Sequence, residues 1–360
     1  KGQVLANHYY MRSGLIRKAE LATTLIPQFR ACHPETHVSE LVDEVAREKF
    51  MALLFTLSTR GGVWLLKAGD SSNATDMYLF DKTRLDFISD LLRHSPRTSW
   101  LAQKYIERPL LIKGFKFHIR ATVLAVGRLK VFLHRHAIAL MASREYSLDD
   151  LSDLAVHASN HSVAEQLNPT GIPDAALLSE LHRLVQSPPP IVNLADLEEE
   201  EEEGGGEKER KGGREKERDR GAGKRPAWTH IEDDQLGGPW AAAVWRQLRE
   251  ATWRVFHSAV HSEQPARIFR AVPCSFEMFG LDAMIDEEGR VYLLELNCDP
   301  DLKVFDTRFR HLAAEIVSDT LDAAVCPTLG GISDGSPTRD IGGYHLVFQH
   351  DGLDRFFEPS

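Results

Sequence analysis

The segment FEMFGLDAMIDEEGRVYLLELN at 276–297 constrains the fold more than any other stretch of this 360-residue chain. Two strand-forming runs flank the charged, glycine-containing turn EEGR, which predicts an antiparallel hairpin with its loop at 287–290. Successive strand side chains point to opposite faces, so Glu295 and Asn297 share one face while Leu294 and Leu296 share the other. With that loop, Asp282 pairs directly across from Glu295. Two carboxylates and an amide, without His or Cys, suit a hard cation, Mg²⁺ in preference to zinc. A solvated polar face with one cross-strand contact has the same spacing, and spacing alone does not choose between them.

A second strand repeats the pattern with opposite charge. In KFHIR, Lys116, His118 and Arg120 alternate with Phe117 and Ile119, so two cations and an imidazole line one face while the apolar pair packs inward. Such a face suits phosphate oxygens, and Arg135 in HRHAIALMA adds a cation from the next strand. Taken singly, each is as compatible with an ordinary surface cation or a structural histidine. Lys67 ends the strand VWLLK and opens the loop AGDSSNATD at 68–76. That loop has only Gly69 and forms neither GxxxxGK[ST] nor GxGxxG. Nucleophile-elbow, HExxH and kinase HRD/DFG patterns are also absent, which argues against serine hydrolases, zinc proteases and protein kinases and leaves a magnesium nucleotide site.

The rest alternates helix and strand signals in an α+β pattern without a 20-to-50-residue repeat. Apolar spacing predicts helices over 38–58 and 83–94 and one carrying Val244, Leu248, Val255 and Ala259. Strand-like runs fall at 63–67, 101–107, 115–126, 129–142 and 344–348. Residues 198–225 hold eleven acidic and nine basic residues and seven Gly, with nothing apolar enough to offset the entropy of ordering, and read as a disordered charged insert. Cys32, Cys274, Cys298 and Cys326 form no CxxC pair, so a reducing, cytoplasmic setting is expected. No apolar run reaches the roughly 18 to 20 residues of a membrane helix. The net charge of −10 argues against direct nucleic-acid binding. The chain starts at Lys1 with neither an initiator Met nor a signal-peptide pattern, so a piece of a longer protein is expected.

QKYIERPLLIKGFKFHIRATVL at 103–124, HASNHS at 157–162 and FEMFGLDAMIDEEGRVYLLELNCDPDLK at 276–303 together resemble the tubulin-tyrosine-ligase-like family of ATP-grasp enzymes, over roughly residues 10–325 apart from the insert. The KFHIR and PDLK spellings look more like its fungal and lower-eukaryote branch than like animal tubulin ligases. The resemblance implies an ATP-grasp fold, with a nucleotide held between two α+β lobes built on antiparallel sheets. It divides the chain into a central lobe at 1–102, a C-terminal lobe at 103–326 containing the insert, and a tail at 327–360, the family's N-terminal lobe being largely absent. It also matches Lys67, Gln103, Lys104, Tyr105, Ile106, Lys116 and His118 to nucleotide contacts, and Asp282, Glu295 and Asn297 to magnesium ligands. Arg120, Arg135, Glu295 and Asn160 match catalytic positions.

The resemblance implies a ligase that uses ATP and two Mg²⁺ to join a free amino acid to a protein acceptor, tubulin or another acidic-tailed protein. Three departures stand out. Ser72-Asn73-Ala74-Thr75-Asp76 replaces a loop that normally carries a cation between glycines, and Asp76 adds a negative charge there. His118 stands where animal ligases have Asp, and His157-Ala158-Ser159-Asn160 relaxes an HLTN-type motif. The alternative is a catalytically impaired ATP-grasp module that serves as a protein–protein scaffold.

Overall fold

The computed structural model describes residues 5–25, 32–69, 76–159, 175–185, 188–192, 233–261, 269–329 and 340–350. The insert at 198–225, Asn160 and loop positions 70–75 lie outside the described residues. Among those described, no helix is long and apolar enough to cross a membrane.

Two antiparallel sheets organise the chain. The smaller one contains β1 (Thr36–Glu40), β2 (Trp64–Ala68), β3 (Met77–Phe80) and β4 (Ser99–Lys104), in the order β1-β4-β2-β3. Strict alternation along β2 sends Trp64, Leu66 and Ala68 into a core with Phe50, Leu54, Ile88 and Leu92, while Leu65 and Lys67 face the other way. That core is closed by helices α1 (Glu44–Thr59) and α2 (Leu85–His94). The helix expected from residue 38 begins only at Glu44. Asp43 caps it by accepting the Ala46 N–H at 2.7 Å, while Thr36 to Glu40 pair in register with β4 as a strand. The β-branched Thr36 and Val38 suit that strand, and Leu41 N–H donates to Thr98 O at 2.6 Å where the pairing ends.

The larger sheet holds the short β5 (Leu111–Ile112), the long β6 (Phe115–Val126) and β7 (Lys130–Glu145), β8 (Ala176–Leu177), and the hairpin β9 (Phe276–Ile285) and β10 (Val291–Cys298). A last strand, β11 (Tyr344–Gln349), completes the order β10-β9-β6-β7-β11, with β5 on β6 and β8 on β7. Helix α3 (Pro239–His261) covers one face, its Trp245, Leu248 and Val255 packing with Phe117, Ile119 and Ala121 of β6. On the opposite face α4 (Asp306–Thr320) packs Phe309, Leu312 and Ile316 against Leu124, Phe132 and Ile138. The even-numbered positions of β6 therefore change character along one face. They are apolar under α4 at Leu124 and Val126, and polar at Lys116, His118 and Arg120, where the smaller sheet stands opposite.

Candidate functional site

A cleft opens between the two sheets. Leu65, Lys67, Met77, Leu79 and Gln103 line it from the smaller sheet, and Lys116, His118, Asp282, Met284, Leu294 and Glu295 from the larger. Lys104, Tyr105 and Ile106 bridge the two. The lining combines apolar side chains with charged ones, the mixture a nucleotide with a base and a phosphate tail requires.

The hairpin register sets the acidic wall. Asp286 Oδ1 accepts the N–H groups of Glu288 and Arg290, each at 2.9 Å, and Gly289 takes φ +83° to close the turn. Ile285 then pairs with Val291, leaving a loop one residue longer than expected. A bulge between Leu293 and Glu295 restores the predicted pairing, so Glu295 lies across from Asp282. The bulge also changes a face: Leu293 and Leu296 enter the core, whereas Leu294, expected on the core side, lines the cleft.

Around Asp282 the contacts are dense. Arg120 Nε donates to its Oδ1 and Arg120 Nη2 to its Oδ2 at 2.8 Å, a bidentate pair between adjacent strands in direct register. Gly280 lets this happen: a Cβ there would lie 3.1 Å from Arg120 Cδ and 3.1 Å from Pro300 Cβ. Asn297 Nδ2 donates to Asp282 Oδ2 at 2.9 Å and to Glu295 Oε1 at 3.3 Å. Lys18 Nζ lies 3.4 Å from Glu295 Oε2. Burial opposes charge on Glu295, but Lys18, Lys67, Asn297 and Arg120 outweigh it and hold the carboxyl down at about 2. Burial likewise opposes the Arg120 guanidinium, and Asp282 more than compensates, leaving its pKa raised.

The basic wall is strongly desolvated. Lys116 Nζ donates to Tyr105 Oη at 2.7 Å and to His157 O at 3.0 Å, and sits 4.2 Å from the Tyr105 ring centroid. Burial, with Lys67 nearby, lowers its pKa to about 7. Lys67 Nζ donates to Gln103 Oε1 at 2.9 Å, and burial lowers it to about 8. Both ammonium groups are thus partly starved of counter-charge, a condition that an anionic ligand relieves. Lys104 Nζ is engaged by Glu107 at 2.8 Å beside the Trp64 ring. His118 is buried, its Nδ1 lies 2.7 Å from Ser159 Oγ, and burial lowers its pKa.

The structure therefore gathers Lys67, Gln103, Lys104, Tyr105, Ile106, Lys116, His118, Arg120, Asp282, Glu295 and Asn297 at one cleft. Arg135 is not brought there. Its Nη2 donates to Glu315 Oε1 of α4 at 2.5 Å. The cause is an irregularity in β7, where Ala137 and Leu133 oppose Ala121 and Val123, so four residues of β7 span two of β6 and His134 to His136 leave the regular alternation. Asp76 is also turned aside, bonded to Arg97 Nε at 2.6 Å. Lys18 was missed because a single lysine in the short helix Lys18–Leu25 carries no sequence signal, and Leu294 because a bulge is not visible in periodicity. For a divalent cation the donors fit: two facing carboxylates, with an amide whose half-turn exchanges its N–H donors for an oxygen.

The profile described as "Tubulin-tyrosine ligase family" matches residues 4–180 and 214–331. Curated relatives are distant. The chain is 22% identical over 328 residues to the human tubulin monoglycylase TTLL3, covering 89% of this chain and 36% of that protein. It is 26% identical over 230 residues to a probable tubulin–tyrosine ligase of Schizosaccharomyces pombe, covering 64% of this chain and 43% of that one. The chain thus spans less than half of either. Among solved structures, the C-terminal domain of K. lactis Pby1 superposes with a TM-score of 0.57 at 21% identity, over 96% of this chain and 82% of that one. That domain is described as an ATP-grasp enzyme interacting with the mRNA decapping enzyme Dcp2. The shared architecture is the ATP-grasp fold, as expected from the sequence.

Proposed function

Because this chain belongs to the tubulin-tyrosine ligase family, we propose that it is an ATP- and Mg²⁺-dependent carboxylate–amine ligase that joins an amino acid to a protein acceptor. The observation that carries this reading is the direct cross-strand pairing of Asp282 with Glu295, in one cleft with the ammonium groups of Lys67 and Lys116. In this reading residues 1–102 and 103–326 act as the two lobes that close on the nucleotide, with 327–360 as a tail. The apolar lining residues Leu65, Leu79, Met284 and Leu294 accept the base together with Tyr105 and Ile106.

The chemistry is phosphoryl transfer from ATP to a carboxylate, then attack by an amine on the acyl phosphate, giving an amide, ADP and phosphate. Magnesium supplies charge neutralisation at the β- and γ-phosphates when bound. Asp282, Glu295 and Asn297 would hold it. Lys67 neutralises phosphate oxygens from the smaller sheet and Lys116 from β6 of the larger one, and Arg120, positioned by Asp282, presents its guanidinium beside the transferring group. Lys18 keeps Glu295 ionised. Asn160 completes the catalytic set in this proposal.

Tubulin, or another protein with an acidic tail, is the acceptor class this reading favours, since the human and S. pombe relatives are tubulin-modifying by description. The test is ATP-dependent incorporation of radiolabelled Tyr, Glu or Gly into tubulin and peptide acceptors by wild type and by Glu295→Gln. Incorporation that depends on ATP and vanishes in the variant supports the ligase. Absence of incorporation, together with protein partners retained by the variant, favours the scaffold reading, for which the description of the Pby1 domain is the motive.

A further inference from the structure

His118 stands at the centre of the charged wall, between Lys116 and Arg120 on β6, with 3% of its surface exposed. Its Nδ1 is engaged by the Ser159 hydroxyl at 2.7 Å. In the tautomer that donates the Nδ1 proton to that oxygen, Nε2 carries the lone pair, on a ring that lines the cleft. Nε2 is buried and has no hydrogen-bond partner among the described residues. It faces Asp282 Oδ1, a second acceptor, at 3.6 Å. In that tautomer the imidazole lone pair and the carboxylate oxygen, which also accepts from Arg120 Nε, form a pair of donor atoms that one bound cation would share.

We infer that His118 Nε2 is a metal ligand, and that it turns the cleft's preference from Mg²⁺ toward a first-row transition-metal dication such as Mn²⁺. An all-oxygen set of Asp282, Glu295 and Asn297 suits magnesium, which is held mainly by carboxylates, phosphates and water. Adding an imidazole nitrogen creates a mixed nitrogen–oxygen set, which transition ions accept far more readily. Ser159 is then a positioning residue: it fixes the tautomer and the ring plane, as outer-shell partners of ligating histidines generally do. This inference rests on the nucleotide–metal reading of the cleft and narrows it to a choice of ion.

The test uses the full chain with the β,γ-methylene analogue of ATP and Mn²⁺ as the probe, read by electron spin-echo spectroscopy and by titration calorimetry against Mg²⁺. Wild type is expected to show imidazole nitrogen coupling to the bound Mn²⁺, absent in His118→Asp and in the near-isosteric His118→Asn. The ratio of Mn²⁺ to Mg²⁺ affinity is expected to fall by roughly tenfold or more in His118→Asp, and Ser159→Ala to weaken Mn²⁺ binding on the order of tenfold while retaining the coupling. Circular dichroism of each variant reports the fold, and the Asn variant stands in if Asp at this buried position unfolds the protein. Bound Mn²⁺ that is lost in Glu295→Gln but shows no nitrogen coupling in wild type overturns the role of His118 and leaves the nucleotide site standing. Mn²⁺ and nucleotide that fail to bind, or bind equally to Glu295→Gln, overturn both.

Discussion

Asp282 and Glu295 stand directly opposite each other across the β9–β10 pair because Leu294 is an extra residue in β10. Without the bulge, the register near the turn would carry through the hairpin and set Glu295 against Leu281. The acidic pair, and the exposure of Leu294 to the cleft, are two results of one irregularity.

Glu295→Gln is therefore expected to remove the response to Mg-ATP. At about 100 times its dissociation constant, a ligand stabilises by about 2.7 kcal/mol, a shift of several degrees in the melting midpoint. The variant also costs the ligand-free protein roughly 2 kcal/mol, since Lys18 and Lys67 lose a counter-charge. The informative quantity is the difference with and without ligand; an undiminished shift would show that the carboxylate does not meet the metal.

Lys67 gives the cleft a pH dependence whose sign is set by its lowered pKa. Below pH 8 the lysine is charged in both folded and unfolded chains, and the full burial penalty is present. Between about 8 and the unfolded value of 10.5 the unfolded chain holds the proton more tightly, so stability rises with pH. Relative to Lys67→Met, wild type should gain about 3 kcal/mol across that window, taking 1.36 kcal/mol per pKa unit. Calorimetry at pH 8.5 in buffers of different ionisation enthalpy should also record proton uptake on ATP binding, lost in the variant. Equal uptake in both proteins would assign the proton elsewhere.

Gly280→Ala tests whether the missing side chain makes room for Arg120. A methyl 3.1 Å from both Arg120 Cδ and Pro300 Cβ forces one of them to move. We expect a loss of about 1–3 kcal/mol in stability and a clear loss of Mg-ATP affinity, as the bidentate pair with Asp282 is displaced. Wild-type affinity in a destabilised variant would show that the Arg120–Asp282 geometry is not what the nucleotide requires.

Arg135→Ala should leave nucleotide affinity within about twofold and cost no more than about 1 kcal/mol, because its partly exposed guanidinium pairs with Glu315 and not with the cleft. A tenfold loss of affinity would return Arg135 to the site.

How much of this site the sequence reveals depends on where period-two alternation survives. Lys116, His118 and Arg120 keep strict alternation with the core residues Phe117 and Ile119 along β6, and their shared face was readable from KFHIR alone. Asp282 and Glu295 were readable too, although the expected loop was one residue short and the bulge compensated. Arg135 was not, because β7 carries extra residues against β6 just there. Lys18 reaches Glu295 from the opposite end of the chain, and tertiary closure of that kind leaves no local trace. Thr36 to Glu40 mimic the start of a helix because apolar spacing continues into Glu44–Thr59; only the Asp43 cap marks the boundary.

The placement of β11 bears on solubility. Tyr344 to Gln349 pair with Lys130 to His134 along the outer edge of β7, and β8 covers Ile138 and Ala139 of the same strand. An uncovered edge of a long, apolar strand is a template for pairing with another molecule. The terminal strand thus acts as a guard against edge-to-edge association, and a chain cut short before Tyr344 would present Lys130 to His134 as an adhesive border whose tendency to assemble grows with protein concentration.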